Sequence, residues 1–148
     1  VLQLDICNFT RMSQGSSAME IAQMVHKLFS SFDQAVMKYK LFKIDTVGDA
    51  YIVAGWLPCD SDWSMKEETR ASCSSILNLA RLMLRALRKH NRERGGKEEL
   101  SCRVGIAVGL VASGVLGRRH SRFYVVGQAM REVDLLEQTA LINNVHVS

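Results

Sequence analysis

One proline, Pro58, occurs in 148 residues, so no proline-rich linker interrupts the chain. The cysteines Cys7, Cys59, Cys73 and Cys102 include no CxxC pair and no His/Cys group at zinc spacing. They are expected as reduced, mostly buried thiols of a cytosolic domain. No stretch approaches the roughly 20 apolar residues that span a bilayer, and the N-terminal residues do not read as a secretory leader. There is no initiator Met either; the chain opens inside the apolar run Val1-Leu2-Gln3-Leu4. It is therefore expected to be a fragment of a longer protein, a cytoplasmic domain whose membrane anchor, if any, lies in other parts. The basic run Arg85, Arg88, Lys89, Arg92 and Arg94 has no interleaved aromatic residues. Stacking on bases would need them, so a solvated helix end is expected there and nucleic acid is not.

The chain does hold an ordinary globular balance, 47% hydrophobic and 23% charged residues, at the length of one domain. That length buries a core without disulfide or metal staples. The net charge of +4 suits a polyphosphate ligand, an acidic partner or a nucleic acid, and more simply a solvated surface with a few extra arginines. Val1 to Ile6 alternates as a short strand and runs into a loop at Cys7-Asn8-Phe9-Thr10. Ser17 with Glu20 makes a capping box, and a helix follows to about Lys38 with Ile21, Val25, Leu28, Phe29, Phe32 and Val36 on one face. Leu41–Ile44 and Tyr51–Ala54 flank Val47-Gly48-Asp49-Ala50 as a hairpin, where Gly-Asp can supply positive φ. Residues 59–65 are polar loop. A long helix is expected from Met65 to His90, its stripe being Ile76, Leu79, Ala80, Met83 and Leu87. A turn at Arg94-Gly95-Gly96-Lys97 precedes a strand from Ser101 to Gly109. Then come a hairpin, Val111–Leu116 with Arg122–Val126 around Arg118-Arg119-His120-Ser121, and a helix from Gln128 to Gln138 with Val133, Leu136 and Ala140 inward. A last strand starts at Val145. The order is β-α-β-β-α-β followed by a hairpin, a helix and a strand, which implies an α+β sandwich with the long helices on one face of a sheet.

Asp5 ends the first strand and Asp49 sits at the hairpin tip. In a β-α-β-β layout these strands are sheet neighbours, so the two carboxylates can meet. Carboxylates that meet repel unless a divalent cation lies between them. Two-metal phosphoryl chemistry uses such a pair, and the loop Cys7–Thr10 before a helix can point backbone N–H groups at an anion. The alternative is that Asp5 and Asp49 are unrelated turn residues.

The wording of these segments goes further. Asp5-Ile6-Cys7-Asn8-Phe9-Thr10 resembles the DI-x-G-F-T motif of class III adenylyl and guanylyl cyclases. Lys43-Ile44-Asp45-Thr46-Val47-Gly48-Asp49-Ala50-Tyr51 resembles their K-[IV]-x-T-[IV]-G-D-A-[YF] hairpin. Gly55-Trp56-Leu57-Pro58, Arg103 to Gly109, Gly114-Val115-Leu116-Gly117 and Val145-His146-Val147-Ser148 are similar, in order, to the family's later segments. The resemblance implies a ferredoxin-like βαββαβ sandwich extended by a hairpin, helix and strand, spanning residues 1–148 as one half of a dimeric catalytic unit. It also implies two Mg²⁺ or Mn²⁺ ions held by Asp5, Asp49 and the backbone carbonyl of Ile6. Cys7, Asn8, Phe9, Thr10 and Gly48 would face the phosphates of GTP or ATP. The ribose 3′-hydroxyl would attack the α-phosphate in line and pyrophosphate would leave. The second half would supply an Asn and an Arg to the transition state.

Departures from the family pattern are informative. Asn8 replaces a Gly, and Asn tolerates left-handed backbone better than most residues. Arg131 stands at the family's Asn position, and Leu135 stands at its Arg position. Leucine donates nothing to a developing negative charge. Leu110 replaces a phosphate-contacting Arg of many metal-bearing halves. The implied state is a chain inactive alone and active with a complementary half. At the base-reading positions stand Asp45 and Tyr124. Asp45 is an acceptor able to take guanine N1–H and N2–H₂. Thr46-Val47-Gly48-Asp49-Ala50-Tyr51 is closer to guanylyl than to adenylyl metal-bearing halves, so the resemblance leans to a guanylyl cyclase, with an adenylyl cyclase half as the alternative. In a heterodimer both base-reading positions would lie in the dead site. A pseudo-cyclase that dimerises without chemistry is the other alternative. A diguanylate-cyclase palm lacks its G-G-[DE]-E-F here, and an RNA-binding β-α-β-β-α-β domain lacks aromatics on Arg103–Gly109.

Overall fold

Strict alternation builds the first strand: Leu2, Leu4 and Ile6 of β1 (Leu2–Ile6) are fully buried, while Gln3 and Asp5 point to the opposite face and are half-buried. A computed structural model describes this and residues 1–95, 99–119 and 121–148. Gly96 and Lys97 of the expected turn, and His120 of the second hairpin, lie outside the described residues. The chain continues through α1 (Phe9–Gly15), α2 (Ala18–Lys38), the hairpin β2 (Phe42–Val47) and β3 (Ala50–Ala54), α3 (Glu67–Arg94), β4 (Cys102–Ile106), the ribbon β5 (Val111–Leu116) and β6 (Arg122–Gly127), α4 (Gln128–Thr139) and β7 (Val145–Val147).

The strand order is β2-β3-β1-β4-β7. Every pair in it is antiparallel except β4 with β7, and β5–β6 forms a separate ribbon. This is the expected ferredoxin-like α+β sandwich with its added hairpin, helix and strand. The two long helices pack on one face. The capping box starts α2 as expected, with the Glu20 N–H donating to Ser17 Oγ at 3.2 Å and the Ser17 N–H to Glu20 Oε2 at 3.0 Å. Leu28, Phe29, Phe32 and Val36 of α2 meet the whole expected stripe of α3 over β1, β3 and β4. Ile21 and Val25 lie at the rim. Phe29 and Phe32 pack edge-on against Tyr51, ring centroids 5.1 and 5.4 Å away.

The short helix α4 covers the other face. It sits so close to β4 that a Cβ on Gly105 would lie 2.5 Å from the Val133 carbonyl oxygen and 2.6 Å from the Glu137 nitrogen. A side chain at 105 would push the helix away. This contact also shifts the helix's buried stripe from the one expected. Ala129, Val133 and Glu137 are buried, at i, i+4 and i+8, whereas Leu136 and Ala140 are only half-buried.

Other expectations need correction. Phe9 and Thr10 open a helix rather than a loop, because Asn8 takes left-handed backbone (φ 58°, ψ 21°) and turns the chain directly into α1. A single 3₁₀ turn, Trp63–Met65, interrupts the polar loop, and α3 runs on past His90 to Gly95, which takes positive φ (52°) as a C-terminal stop. β4 ends at Ile106, not Gly109. The four thiols are unpaired, but only Cys102 is buried and Cys59 is exposed. Among the described residues no helix is long and apolar enough to cross a membrane.

Candidate active site

Strand register brings the two candidate carboxylates together. Asp5 is opposite Ala50 on β3, and Val47 is opposite the same Ala50 on β2, so the Gly48-Asp49 tip closes beside the end of β1. Gly48 supplies the positive φ the turn needs (62°), and Asp49 does not share it. Both aspartates are half-buried. Burial, and next the like charge of Asp49, push the Asp5 carboxyl above its ordinary value. The guanidinium of Arg103 pulls the other way, its Nη2 3.5 Å from Asp5 Oδ2.

That cation comes from outside both motifs. Arg103 is directly opposite Asp5 in the β1–β4 register, and its Nε donates to Glu137 Oε1 at 2.8 Å. Glu137 is 4% exposed. Its own carboxyl is raised, by burial first and by the Asp5 charge next. Sequence reasoning assigned neither residue a role. The sequence shows only an arginine inside an otherwise apolar strand; its place opposite Asp5 comes from the strand register.

Of the residues expected to face phosphates, Cys7 has its N–H committed elsewhere. The Cys7 N–H donates to the Ser101 carbonyl at 2.8 Å, so it holds the sheet edge and has no hydrogen to offer an anion. Asn8, Phe9 and Thr10 fall at the first turn of α1, where N–H groups lack intrahelical acceptors. Asn8 adopts the left-handed conformation for which the family Gly is suited.

The remaining candidates sit apart from this corner. Asp45 is exposed on the edge strand β2, after a bulge, and its Oδ1 accepts the Thr46 N–H at 2.7 Å. Tyr124 is on the ribbon, exposed and opposite Gly114. The ribbon meets β2 through Phe42 and Phe123, ring centroids 5.1 Å apart. Arg131 and Leu135 share the outer face of α4, Leu135 being 61% exposed, and Leu110 is exposed before β5.

Residues 1–148 match the model of the adenylate and guanylate cyclase catalytic domain. The chain belongs to this family. It is 29% identical over 148 residues to the receptor-type guanylate cyclase gcy-23 of Caenorhabditis elegans, covering all of this chain and 13% of that protein. It is 30% identical over 144 residues to gcy-28 of the same organism, covering 97% of this chain and 11% of the relative. The chain thus spans about a tenth of the length of these receptor-type relatives. Among solved structures, the guanylate cyclase domain of RhGC from Catenaria anguillulae, in complex with GTP, superposes with a TM-score of 0.81 at 25% identity, over 99% of this chain and 75% of that one. The adenylyl cyclase CyaB of P. aeruginosa shares the fold at a TM-score of 0.79 and 21% identity, over 99% of this chain and 74% of that one. The cyclase catalytic fold and family are therefore those of this chain.

Proposed function

We propose that this chain is the metal- and triphosphate-binding half of a guanylyl cyclase catalytic unit, converting GTP to cyclic GMP and pyrophosphate when joined to a complementary half. The supporting observation is the strand register that sets Asp5 beside Asp49; Arg131 and Leu135 stand where the family pattern has its Asn and Arg.

The donor set fits the ions the family generally uses. Among the described residues no three His, Cys, Asp or Glu side chains form a closed cage. Two carboxylates with the Ile6 carbonyl make an open, all-oxygen set. Mg²⁺ is commonly held that way, by one or two carboxylates plus substrate phosphates. When bound, such ions polarise the phosphoryl oxygens and help activate the attacking hydroxyl. The chain's own contribution is placement. Asp5 and Asp49 fix the negative charge at one point, and Asn8, Phe9 and Thr10 orient the triphosphate with backbone N–H groups. The 3′-oxygen then forms a bond to the α-phosphorus as the bond to the pyrophosphate oxygen breaks in line. Charge building on that phosphate needs donors, and Leu135 offers none, so the partner half supplies them.

The guanine preference rests on the likeness of Thr46–Tyr51 to guanylyl-type hairpins and on the guanylate cyclases among the relatives. In the heterodimer Asp45 and Tyr124 belong to the dead site and the partner reads the base. The test is complementation. Mixed with an Asn/Arg-bearing half, the chain is expected to give cyclic GMP from GTP at a higher rate than cyclic AMP from ATP. Asp45→Ala is expected to leave that ratio unchanged. A changed ratio would make Asp45 the base reader and exchange the working and dead sites; a higher rate with ATP would make the unit an adenylyl cyclase.

A further inference from the structure

Buried charge that strengthens no core calls for another reason to be there. Glu137 is one of three buried polar or charged residues among those described, and it is ion-paired. A buried ion pair is poor evidence of stability, since desolvation of both ions offsets much of their attraction. Its placement is specific, however. Gly105 lets α4 descend onto β4, which brings Glu137 over the strand; Arg103, two residues earlier on the same face of β4, receives it at 2.8 Å; and the same guanidinium reaches across to Asp5 at 3.5 Å. Three elements thus converge on one planar fork.

We propose that Arg103 and Glu137 are positioning residues for Asp5: Arg103 holds one carboxylate oxygen and leaves the other for a divalent cation, and Glu137 both aims the fork and cancels its charge. The proposal rests on the metal-binding reading of Asp5 and Asp49. An uncompensated guanidinium this close to a metal-binding carboxylate would repel an incoming dication. With Glu137 ionised beside it, the Arg103–Glu137 pair is neutral, and the fork acts as a hydrogen-bonding brace. Only Arg has the geometry to serve two carboxylates at once; Lys offers a point charge without a plane.

Mn²⁺ titration of the 148-residue chain tests this, by calorimetry and by the loss of the free-ion electron paramagnetic resonance signal, with thermal unfolding in EDTA to check folding. Glu137→Gln is expected to weaken Mn²⁺ binding by about 10- to 100-fold, the usual effect of losing a group that supports a metal ligand. Arg103→Lys keeps the charge, loses the fork and is expected to weaken binding by less. The double variant Arg103→Gln/Glu137→Gln removes both charges and is expected to recover part of the loss seen in Glu137→Gln. Wild-type affinity in Glu137→Gln, or a double variant no better than the single, would overturn the proposal. Should Glu137→Gln fail to fold, wild-type affinity in Arg103→Lys overturns it equally. Asp49→Asn separates the two readings. If it abolishes binding while Glu137→Gln binds normally, the positioning role alone falls; if it binds like wild type, the metal site falls and the positioning role with it.

Discussion

Two parts of this molecule stand where the family resemblance expects function, and their settings differ. At the hairpin corner, Asp5 and Asp49 are half-buried and fixed by the register of three antiparallel strands. On the outer face of α4 stand Arg131 and a 61% exposed Leu135, at the positions where the family resemblance expects transition-state donors. The fold barely depends on what stands on that outer face, since the helix is held from beneath by Ala129, Val133 and Glu137. Side chains can therefore change there without loss of structure. A carboxylate pair in the sheet corner is a standing cost instead, since burial and like charge both disfavour it. On the function proposed above, a cation bound between the two carboxylates would offset that cost.

The largest effect should come from breaking the corner. Asp49→Asn is expected to remove cyclase activity restored by a complementary half, because a neutral amide is a poor ligand for a hard cation. A coupled assay at saturating Mn²⁺ measures it. Next in size is repair of the other face. Arg131→Asn with Leu135→Arg is expected to raise the turnover of the isolated chain with Mn²⁺ and GTP, by about 10²-fold or more, the typical worth of one such donor. An unchanged rate would mean that these positions are not what limits the chain alone.

Smaller effects fall on the scaffold beneath each region. Gly105→Ala puts a Cβ 2.5 Å from backbone of α4. It is expected to destabilise by about 1–3 kcal/mol, as overpacking does, read from the denaturation midpoint. The smallest is at the latch of the hairpin. Asp33 accepts from Lys43 at 2.7 Å and from the Tyr51 hydroxyl. Burial would raise its carboxyl, but these bonds outweigh it and hold Asp33 below the ordinary 3.8. Its contribution is thus full above that value and is lost as pH falls below it through the folded pKa. Tyr51→Phe is expected to cost about 1 kcal/mol at neutral pH. It should also flatten the acid limb of stability against pH. Asp33 and Asp5 shift in opposite directions, because Asp33 is met by Lys43 and Tyr51 whereas Asp5 is buried beside another carboxylate.

Much of this was legible in the chain. Periodicity located both long helices and their stripes, the Ser17–Glu20 box marked a helix start, and the β-α-β-β order placed Asp5 next to Asp49. What escaped was set by tertiary contact. Glu137 reads as a surface residue until Gly105 lets α4 settle on β4, and Leu136 reads as core for the same reason. The Cys7 N–H looks available until Ser101 is seen across the sheet edge. Short α1 carries too little pattern to announce itself in seven residues. Arg103 stands within a strand motif, but its reach to Asp5 depends on a register that periodicity does not supply.

The most direct measurement pairs this chain with a complementary half whose own two metal aspartates have been changed to Asn. Any cyclic nucleotide formed must then use Asp5 and Asp49 from this chain and the Asn and Arg from its partner. Activity comparable to that of the unmodified pair, lost when Asp5→Asn is added, is the predicted result. Loss of activity on disabling the partner's aspartates alone would contradict it, and would place the working metal site in the other half.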